Sequence, residues 1–431
     1  MIDIRILRDS PEKIRENLEK RNIANFPIDE LFLLERKRRE LIANNQKLKE
    51  ERNRISLEIS KAKRSGGSAQ DLISQMKIAS DQITENDRET HIADSRFEQL
   101  LSSLPNFVDP AVPIGKDETA NREVRKWGEP KQGFVDHIEI SAALDLVDIE
   151  RAAKTSGARF YFLRRDLTRL NYALISFALD FLRERGFILI QPPYMLKKEA
   201  IGGAVILDDF EEVIYKIENE DLYLIGTSEH AIAAMHMHEI FDGNELPIRY
   251  AGISPCFRKE AGAHGRDTKG IFRVHQFEKI EQFVYCKPSE SEDEHQMLLN
   301  NAEGFMQALG IPHRVMLLSS GDMGKVAAKT YDIEGWIPSQ GKYRELISCS
   351  NCTEFQSRAL AIKYREKAHE ESRFLHTLNS TLVATERTLV ALLENYYRKD
   401  ARVVEIPSRL VPYMNSQTEI TPAKTYEGPT A

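Results

Sequence analysis

From Ile28 to Leu104 the chain carries a heptad pattern interrupted once, at Gly66-Gly67. Leu34, Leu41, Leu48 and Ile55 recur every seven residues. Beyond the glycines, Leu72, Met76, Ala79, Ile83, Asn86, Thr90, Ala93, Phe97, Leu100 and Leu104 follow 4-3 spacing. Side chains so spaced share one stripe of an α-helix, the seam of a coiled coil. The pattern predicts two helices, near residues 28–64 and 69–104, joined across Arg64-Ser65-Gly66-Gly67-Ser68 as an antiparallel hairpin. Helices of about 35 residues extend about 50 Å, so the hairpin is a long arm and not part of a compact core. Pro105 ends the second helix. Polar seam residues (Asn45, Arg52, Asn86 and Thr90) set register and weaken the pair.

The arm's charge is split. Residues 28–64 hold eleven Lys/Arg and seven Asp/Glu, net +4, and residues 65–104 hold three and seven, net −4. Opposite charge can pair the helices. It also leaves a basic face that can track phosphates, with Arg36, Arg38, Arg39, Lys47, Arg54 and Lys61 as candidate RNA contacts. No base-specific code is visible, so readout of RNA shape and backbone is expected.

Composition excludes several classes. In 431 residues, 41% hydrophobic and 29% charged, a core can form and whole-chain disorder is disfavoured. No run approaches about 20 apolar residues, so no membrane span is expected, and the first residues lack the pattern of a secretory signal. Four cysteines cannot frame a disulfide scaffold, and a cytoplasmic setting is expected. A net charge of −7 argues against a generally basic nucleic-acid coat and leaves a local basic face possible.

Three regions are expected: an N-terminal RNA-binding domain with the arm (1–107), a catalytic domain (108–414) and a flexible tail (415–431). After Asn106, short β-rich runs alternate with helical ones without regular βαβ spacing, which suggests an α+β domain on an antiparallel sheet. There is no Walker sequence and no GxGxxG.

Chemistry concentrates in one stretch. Ile253-Ser254-Pro255-Cys256-Phe257-Arg258-Lys259-Glu260 leads through a Gly-rich loop (261–270) into Ile271-Phe272-Arg273-Val274-His275-Gln276-Phe277-Glu278-Lys279-Ile280-Glu281. This reads as strand, polar loop, strand. Two arginines and a phenylalanine suit a polyphosphate carrying a flat base.

The stretch closely resembles motif 2 of class II aminoacyl-tRNA synthetases in the seryl-tRNA synthetase form. Residues 155–163 look like that family's opening of the catalytic domain, and 186–193 are similar to motif 1, which implies a homodimer. Tyr223–His230 looks like the family's serine-binding segment. Tyr343–Gln356, with Ser348-Cys349-Ser350-Asn351-Cys352, is very specific to it. Leu378–Leu389 resembles motif 3, although Asn379-Ser380-Thr381-Leu382-Val383-Ala384-Thr385-Glu386-Arg387 lacks the glycines of bacterial members and looks archaeal.

The resemblance implies ATP-dependent activation of L-serine to seryl-adenylate and transfer to the 3′ end of tRNA(Ser), with tRNA(Sec) as a further substrate. Substrates supply both nucleophiles, so positioning and charge neutralisation should dominate. By motif position, Arg258, Glu345 and Arg387 are the catalytic candidates. Thr227, Ser228, Glu229, Arg258, Glu281, Asn379 and Thr381 would bind serine. Arg258, Lys259, Glu260, Arg273, Val274, Phe277, Glu345, Leu346, Ile347, Ser348 and Arg387 would bind ATP, with Phe277 and Arg387 on the two faces of adenine. Glu345 and Ser348 would contact Mg²⁺ carried with ATP. The family's arm reaches across the dimer to the long variable arm of its tRNA.

Rival readings exist. Cys349-x-x-Cys352 could serve redox or zinc chemistry, but the family carries it without metal. Buried thiols, and no structural zinc, are expected. A synthetase-like paralogue could activate an amino acid for a carrier protein, but such relatives typically lack the arm. A non-catalytic RNA-binding descendant would not be expected to keep Arg258, Glu260, Arg273, Glu345 and Arg387.

Overall fold

The computed structural model describes residues 1–132, 135–206, 212–260 and 269–422. The chain forms two compact units. One comprises Ile2–Glu19 and Ile23–Leu104; the other holds Met1, Lys20–Asn22 and the chain from Pro105.

In the first unit, helices α1 (Ile28–Arg64) and α2 (Gln70–Ser103) pack against each other. The seam buries Leu31, Ile55, Ile59, Ala79, Ile83, Ala93, Phe97 and Leu100. Leu34, Leu41 and Leu48 are half-buried beside it. The split charge is used across the pair: Lys37 meets Glu89 at 3.0 Å, Arg96 meets Glu30 at 2.7 Å, Lys49 meets Asp87 at 3.7 Å, and Arg38 pairs with Asp94. Exposed pairs of this kind contribute roughly 0–1 kcal/mol each, so they select the partner face more than they stabilise it. Lys61, Lys63 and Arg64 sit in the last turn of α1, where the helix dipole favours cations.

Two seam positions are unfavourable, and at one of them, Asn86, Nδ2 is buried without a partner. Asn45 is buried, and its Nδ2 donates to Asp87, but its Oδ1 has no partner.

The second unit is built on an eight-stranded sheet. Its strands are β1 (Arg122–Trp127), β2 (Ile188–Ile190), β3 (Ile248–Phe257), β4 (Gln276–Cys286), β5 (His313–Leu317), β6 (Lys329–Ile337), β7 (Lys342–Thr353) and β8 (His376–Ala384). They lie in the order β1-β5-β6-β7-β8-β4-β3-β2. Every neighbouring pair is antiparallel except β2 with β3. The edge strand β2 leaves Ile188 55% and Leu189 41% exposed.

Helices α3 (Arg165–Arg183), α5 (Ser291–Ala308) and α6 (Thr385–Tyr396) share one core with the sheet. On α3, Leu167, Leu170, Leu174, Ala178 and Leu182 are buried, the i, i+3/i+4 stripe of a helix facing a core. Ile280, Val284, Leu378, Phe305 and Leu393 complete that layer. The short helix α4 (Ser228–Met235) packs into a second cluster with Tyr250, Phe283 and Tyr285.

Part of the segment expected to be a loose tail is tied down. Glu419 and Ile420 pair with Glu405 and Val404, and Ile420 is fully buried. One apolar side chain with a backbone pair suffices to hold it, and sparse hydrophobicity hid that. Residues 423–431 lie outside the described residues.

Asn45→Leu should stabilise the arm by roughly 1–2 kcal/mol, because it removes a buried unpaired carbonyl and extends the seam. The midpoint of urea unfolding measured on the arm's helices checks this; a lower midpoint would contradict it.

Candidate active site

A cavity of about 710 Å³ opens over β4, β6, β7 and β8 and the residues that follow β3. Register explains its lining. Phe277, Lys279 and Glu281 alternate on one face of β4. Glu281 stands opposite Gly252 of β3 and Thr381 of β8. A Cβ on Gly252 would lie 2.5 Å from Ile232 Cδ1 and 2.7 Å from Ser228 Oγ, so the glycine admits α4 to the sheet. A register shift between Thr381 and Val383 places Ala384 opposite Lys279 and brings the start of α6 to the cavity.

One end of the cavity is carboxylate-rich. Lys279 Nζ lies 2.5 Å from Glu281 Oε2, and both side chains are buried. Thr381 Oγ1 donates to Glu281 Oε2 at 3.2 Å. Glu229 Oε1 accepts from Gln356 Nε2 at 3.0 Å and Asn379 Nδ2 at 3.2 Å. Loss of water, then the charge of Glu281, raises Glu229 to about 7. Thr227 caps α4 by accepting from the Glu229 N–H at 3.2 Å. His230 is driven to about 3 by burial and by Arg258 and Lys279. It therefore stays neutral, its Nδ1 accepting from the Gly226 N–H at 3.4 Å.

The other end gathers guanidinium groups. Arg258 extends β3 by donating its N–H to the His275 carbonyl at 2.9 Å, and its Nε donates to the Gly226 carbonyl at 3.2 Å. Its guanidinium carbon stands 5.3 Å from the centre of the Phe277 ring. Arg273 pairs with Glu260 at 2.5 Å. Arg387 Nη1 reaches Glu345 Oε1 at 3.3 Å and donates to the Glu345 carbonyl at 3.1 Å. Arg387 holds the Glu345 carboxyl below its ordinary value. Glu386, next in sequence, is 3% exposed, has one unpartnered oxygen and is raised to about 7 by burial.

Thr227, Glu229, Arg258, Glu281, Asn379 and Thr381 all line this cavity, as do Glu260, Arg273, Val274, Phe277, Glu345, Leu346, Ser348 and Arg387. Three expected contacts do not. Ser228 turns away and donates to the Gly252 carbonyl at 3.2 Å. Ile347 is buried in the helix-facing core. Lys259 Nζ lies 5.8 Å from the centre of the Tyr215 ring. Residues 261–268 of the Gly-rich loop lie outside the described residues.

The lining also includes Lys279, His230 and Asp332, which the motifs did not single out. Lys279 was legible as the middle of the Phe277-Lys279-Glu281 alternation. Asp332, paired with Ser348 across β6 and β7, carries no local signal. All four cysteines are buried free thiols, and burial raises Cys256 to about 11 and Cys349 to about 12. On the arm, Arg36, Arg38, Arg39 and Arg54 sit in ion pairs with Glu40, Asp94, Glu35 and Glu51. Arg38 also lies 4.3 Å from the Phe97 ring centre, so it serves the helix pair. Lys47 and Lys61 have no ion-pair partner among the described residues.

Comparison with known proteins agrees with this geometry. Residues 1–108 match the model of the seryl-tRNA synthetase N-terminal domain, and residues 212–396 match the tRNA synthetase class II core domain (G, H, P, S and T). The chain is 54% identical over 423 residues to a serine–tRNA ligase of Nitrosopumilus maritimus, covering 97% of this chain and 100% of that protein. It superposes on seryl-tRNA synthetase from Pyrococcus horikoshii complexed with ATP with a TM-score of 0.90 at 42% identity, over 98% of this chain and 100% of that one. For the cytoplasmic serine-tRNA ligase of Naegleria fowleri in complex with AMP, the values are 0.85 and 35%, over 98% and 99%. The chain therefore belongs to the serine–tRNA ligase family of class II aminoacyl-tRNA synthetases.

Proposed function

We propose that this protein activates L-serine with ATP and transfers it to tRNA(Ser), with tRNA(Sec) as a second RNA substrate. The single observation that carries the reading is the cavity's polarity: buried carboxylates at one end, three arginines and an aromatic ring at the other. A serine zwitterion followed by a triphosphate and a flat base has that order of charges.

Glu229 and Glu281 receive the ammonium group, and the Glu281–Thr381–Lys279 cluster hydrogen-bonds the substrate hydroxyl. Alanine or glycine would leave those groups unpaired, which costs about 10⁴-fold in a buried polar site. Arg258 bridges the serine carboxylate and the α-phosphate. A carboxylate oxygen attacks the α-phosphorus and pyrophosphate leaves. Arg273 takes the γ-phosphate, and Phe277 with Arg387 holds adenine. In the second step the terminal ribose hydroxyl of the tRNA attacks the seryl carbonyl and AMP leaves.

Mg²⁺ fits the cavity on one observation: Asp332 Oδ1 is buried without a partner, and burial and Glu345 push its carboxyl well up. Among the described residues no three His, Cys, Asp or Glu side chains form a metal cage. Mg²⁺ is usually held by one or two protein oxygens plus substrate phosphates. Glu345 and Ser348 would hold it, and it would supply charge neutralisation along the triphosphate.

The arm engages RNA by backbone and shape, through α1 cations beyond those used for helix pairing. The exposed apolar strand β2 supports a homodimer contact. No helix of the described residues is long and apolar enough to cross a membrane, in keeping with a cytoplasmic enzyme.

ATP–pyrophosphate exchange should require serine and need no RNA, with threonine, alanine and glycine slower by at least about 10³-fold. Arg258→Ala should abolish it while circular dichroism is unchanged. Exchange with alanine equal to that with serine would contradict the pocket assignment.

The pH dependence follows from Glu229. Its folded value of about 7 lies above that of a free carboxyl. Its stabilising contribution is therefore fully present below about pH 4.5 and is lost as pH rises through about 7. Serine's ammonium selects the ionised form. Calorimetric affinity for serine should weaken about tenfold per pH unit below 7, and Glu229→Gln should flatten the profile. A flat profile for the unaltered protein would refute the ammonium role.

Replacing Ile28–Leu104 with a short linker should spare serine-dependent exchange and reduce tRNA charging by at least about 10²-fold. Equal charging by the shortened protein would remove the arm from RNA recognition.

A further inference from the structure

The cavity's arginines need a fixed backbone, and one buried side chain outside the cavity supplies part of it. His137 begins the helix His137–Leu144 and is 6% exposed. Its backbone N–H and ring Nδ1 each lie 3.1 Å from Glu394 Oε1. Glu394, also buried, stands near the end of α6, the helix that carries Arg387. Its second oxygen accepts from the Ser339 N–H at 3.0 Å. A carboxylate facing Nδ1 fixes the proton there and leaves the Nε2 lone pair free. That lone pair faces the backbone N–H of Ile271, 3.4 Å away.

The neighbouring glycine shows how closely the ring is seated. Gly270 has φ +74°, and a Cβ there would fall 2.0 Å from His137 Nε2. Backbone and ring meet with no room for a methyl group. Directly downstream, the Phe272 ring lies under two guanidinium groups, 4.6 Å from Arg344 and 5.4 Å from Arg387. Arg273 follows with its ion pair to Glu260. A shift at Ile271 therefore moves Phe272 and Arg273, and through Phe272 disturbs Arg387.

We propose that His137 is a positioning residue for nucleotide binding: its Nε2 pegs the Ile271 N–H, and Glu394 ties that peg to the helix bearing Arg387. The peg fixes the backbone leading into Arg273 relative to Arg387. It rests on the reading of the cavity as an ATP site and extends it to a residue that touches no substrate. None of the family motifs quoted above includes His137.

Two substitutions separate a peg from simple packing. Asparagine places an amide where Nδ1 stood, so His137→Asn keeps a donor for Glu394 and removes the acceptor for Ile271. Glutamine reaches further, so His137→Gln restores an oxygen near Nε2. In serine-dependent ATP–pyrophosphate exchange with the full chain, His137→Asn should raise KM for ATP about tenfold. The kcat and KM for serine should stay within twofold. His137→Gln should return KM for ATP to within about threefold of the unaltered protein. Gly270→Ala attacks the same contact from the other side and should raise KM for ATP similarly. The double variant His137→Asn/Gly270→Ala should be no worse than the larger single effect. Equal impairment by Asn and Gln, an unchanged KM for ATP in His137→Asn, or additive effects in the double variant would each overturn the peg. Absence of exchange in the unaltered protein would instead overturn the reading of the cavity.

Discussion

The register of β4 between β3 and β8 is the constraint on which the site depends. It sets Glu281 opposite Gly252 and Thr381, and Phe277 opposite Cys256, with Lys279 between them on the same face. Slipping β4 by one residue would turn Phe277, Lys279 and Glu281 to the helix side and bring Glu278 and Ile280 into the cavity. The core opposes that slip, since Ile280 and Val284 are fully buried against the helices. Packing on one face thus holds the chemistry on the other.

Charge is arranged with equal economy. Carboxylates out of water are unfavourable unless they are paired. Glu281 has Lys279 and Thr381; Glu229 has amide donors as its hydrogen-bond partners, and loss of water and the charge of Glu281 outweigh the pull of Lys279 and Arg258, so its value is raised. On our reading the missing partner is the substrate's ammonium group. Asp332 likewise has one oxygen without a partner, and burial and the charge of Glu345 raise its carboxyl against a hydrogen bond from Ser348. Ligand charges opposite to these groups suit an arrangement that works by positioning and charge neutralisation without a side-chain nucleophile.

The arm was legible because coiled-coil periodicity is written in the chain: the α2 seam predicted from 4-3 spacing is the buried stripe. The cavity was legible where motifs sit on alternating strand positions, as with Arg258, Phe277, Glu281 and Asn379. Legibility failed where a residue's direction depends on tertiary packing. Ser228 donates to the Gly252 carbonyl of β3 and does not line the cavity. Ile347 follows the strand alternation into the core, and Lys259 leaves the sheet where β3 ends. Asp332 and His137 were invisible because their partners are distant in sequence. The charge split of the arm had two readings, and the ion pairs of Arg38, Lys37 and Arg96 show that much of it joins the helices.

The most direct test is a crystal structure with a non-hydrolysable seryl-adenylate analogue bound. The account predicts adenine between Phe277 and Arg387, the phosphate mimic on Arg258, the ammonium beside Glu229, and the hydroxymethyl group against Glu281 and Thr381. An analogue bound in the reverse direction, or outside this cavity, would contradict it.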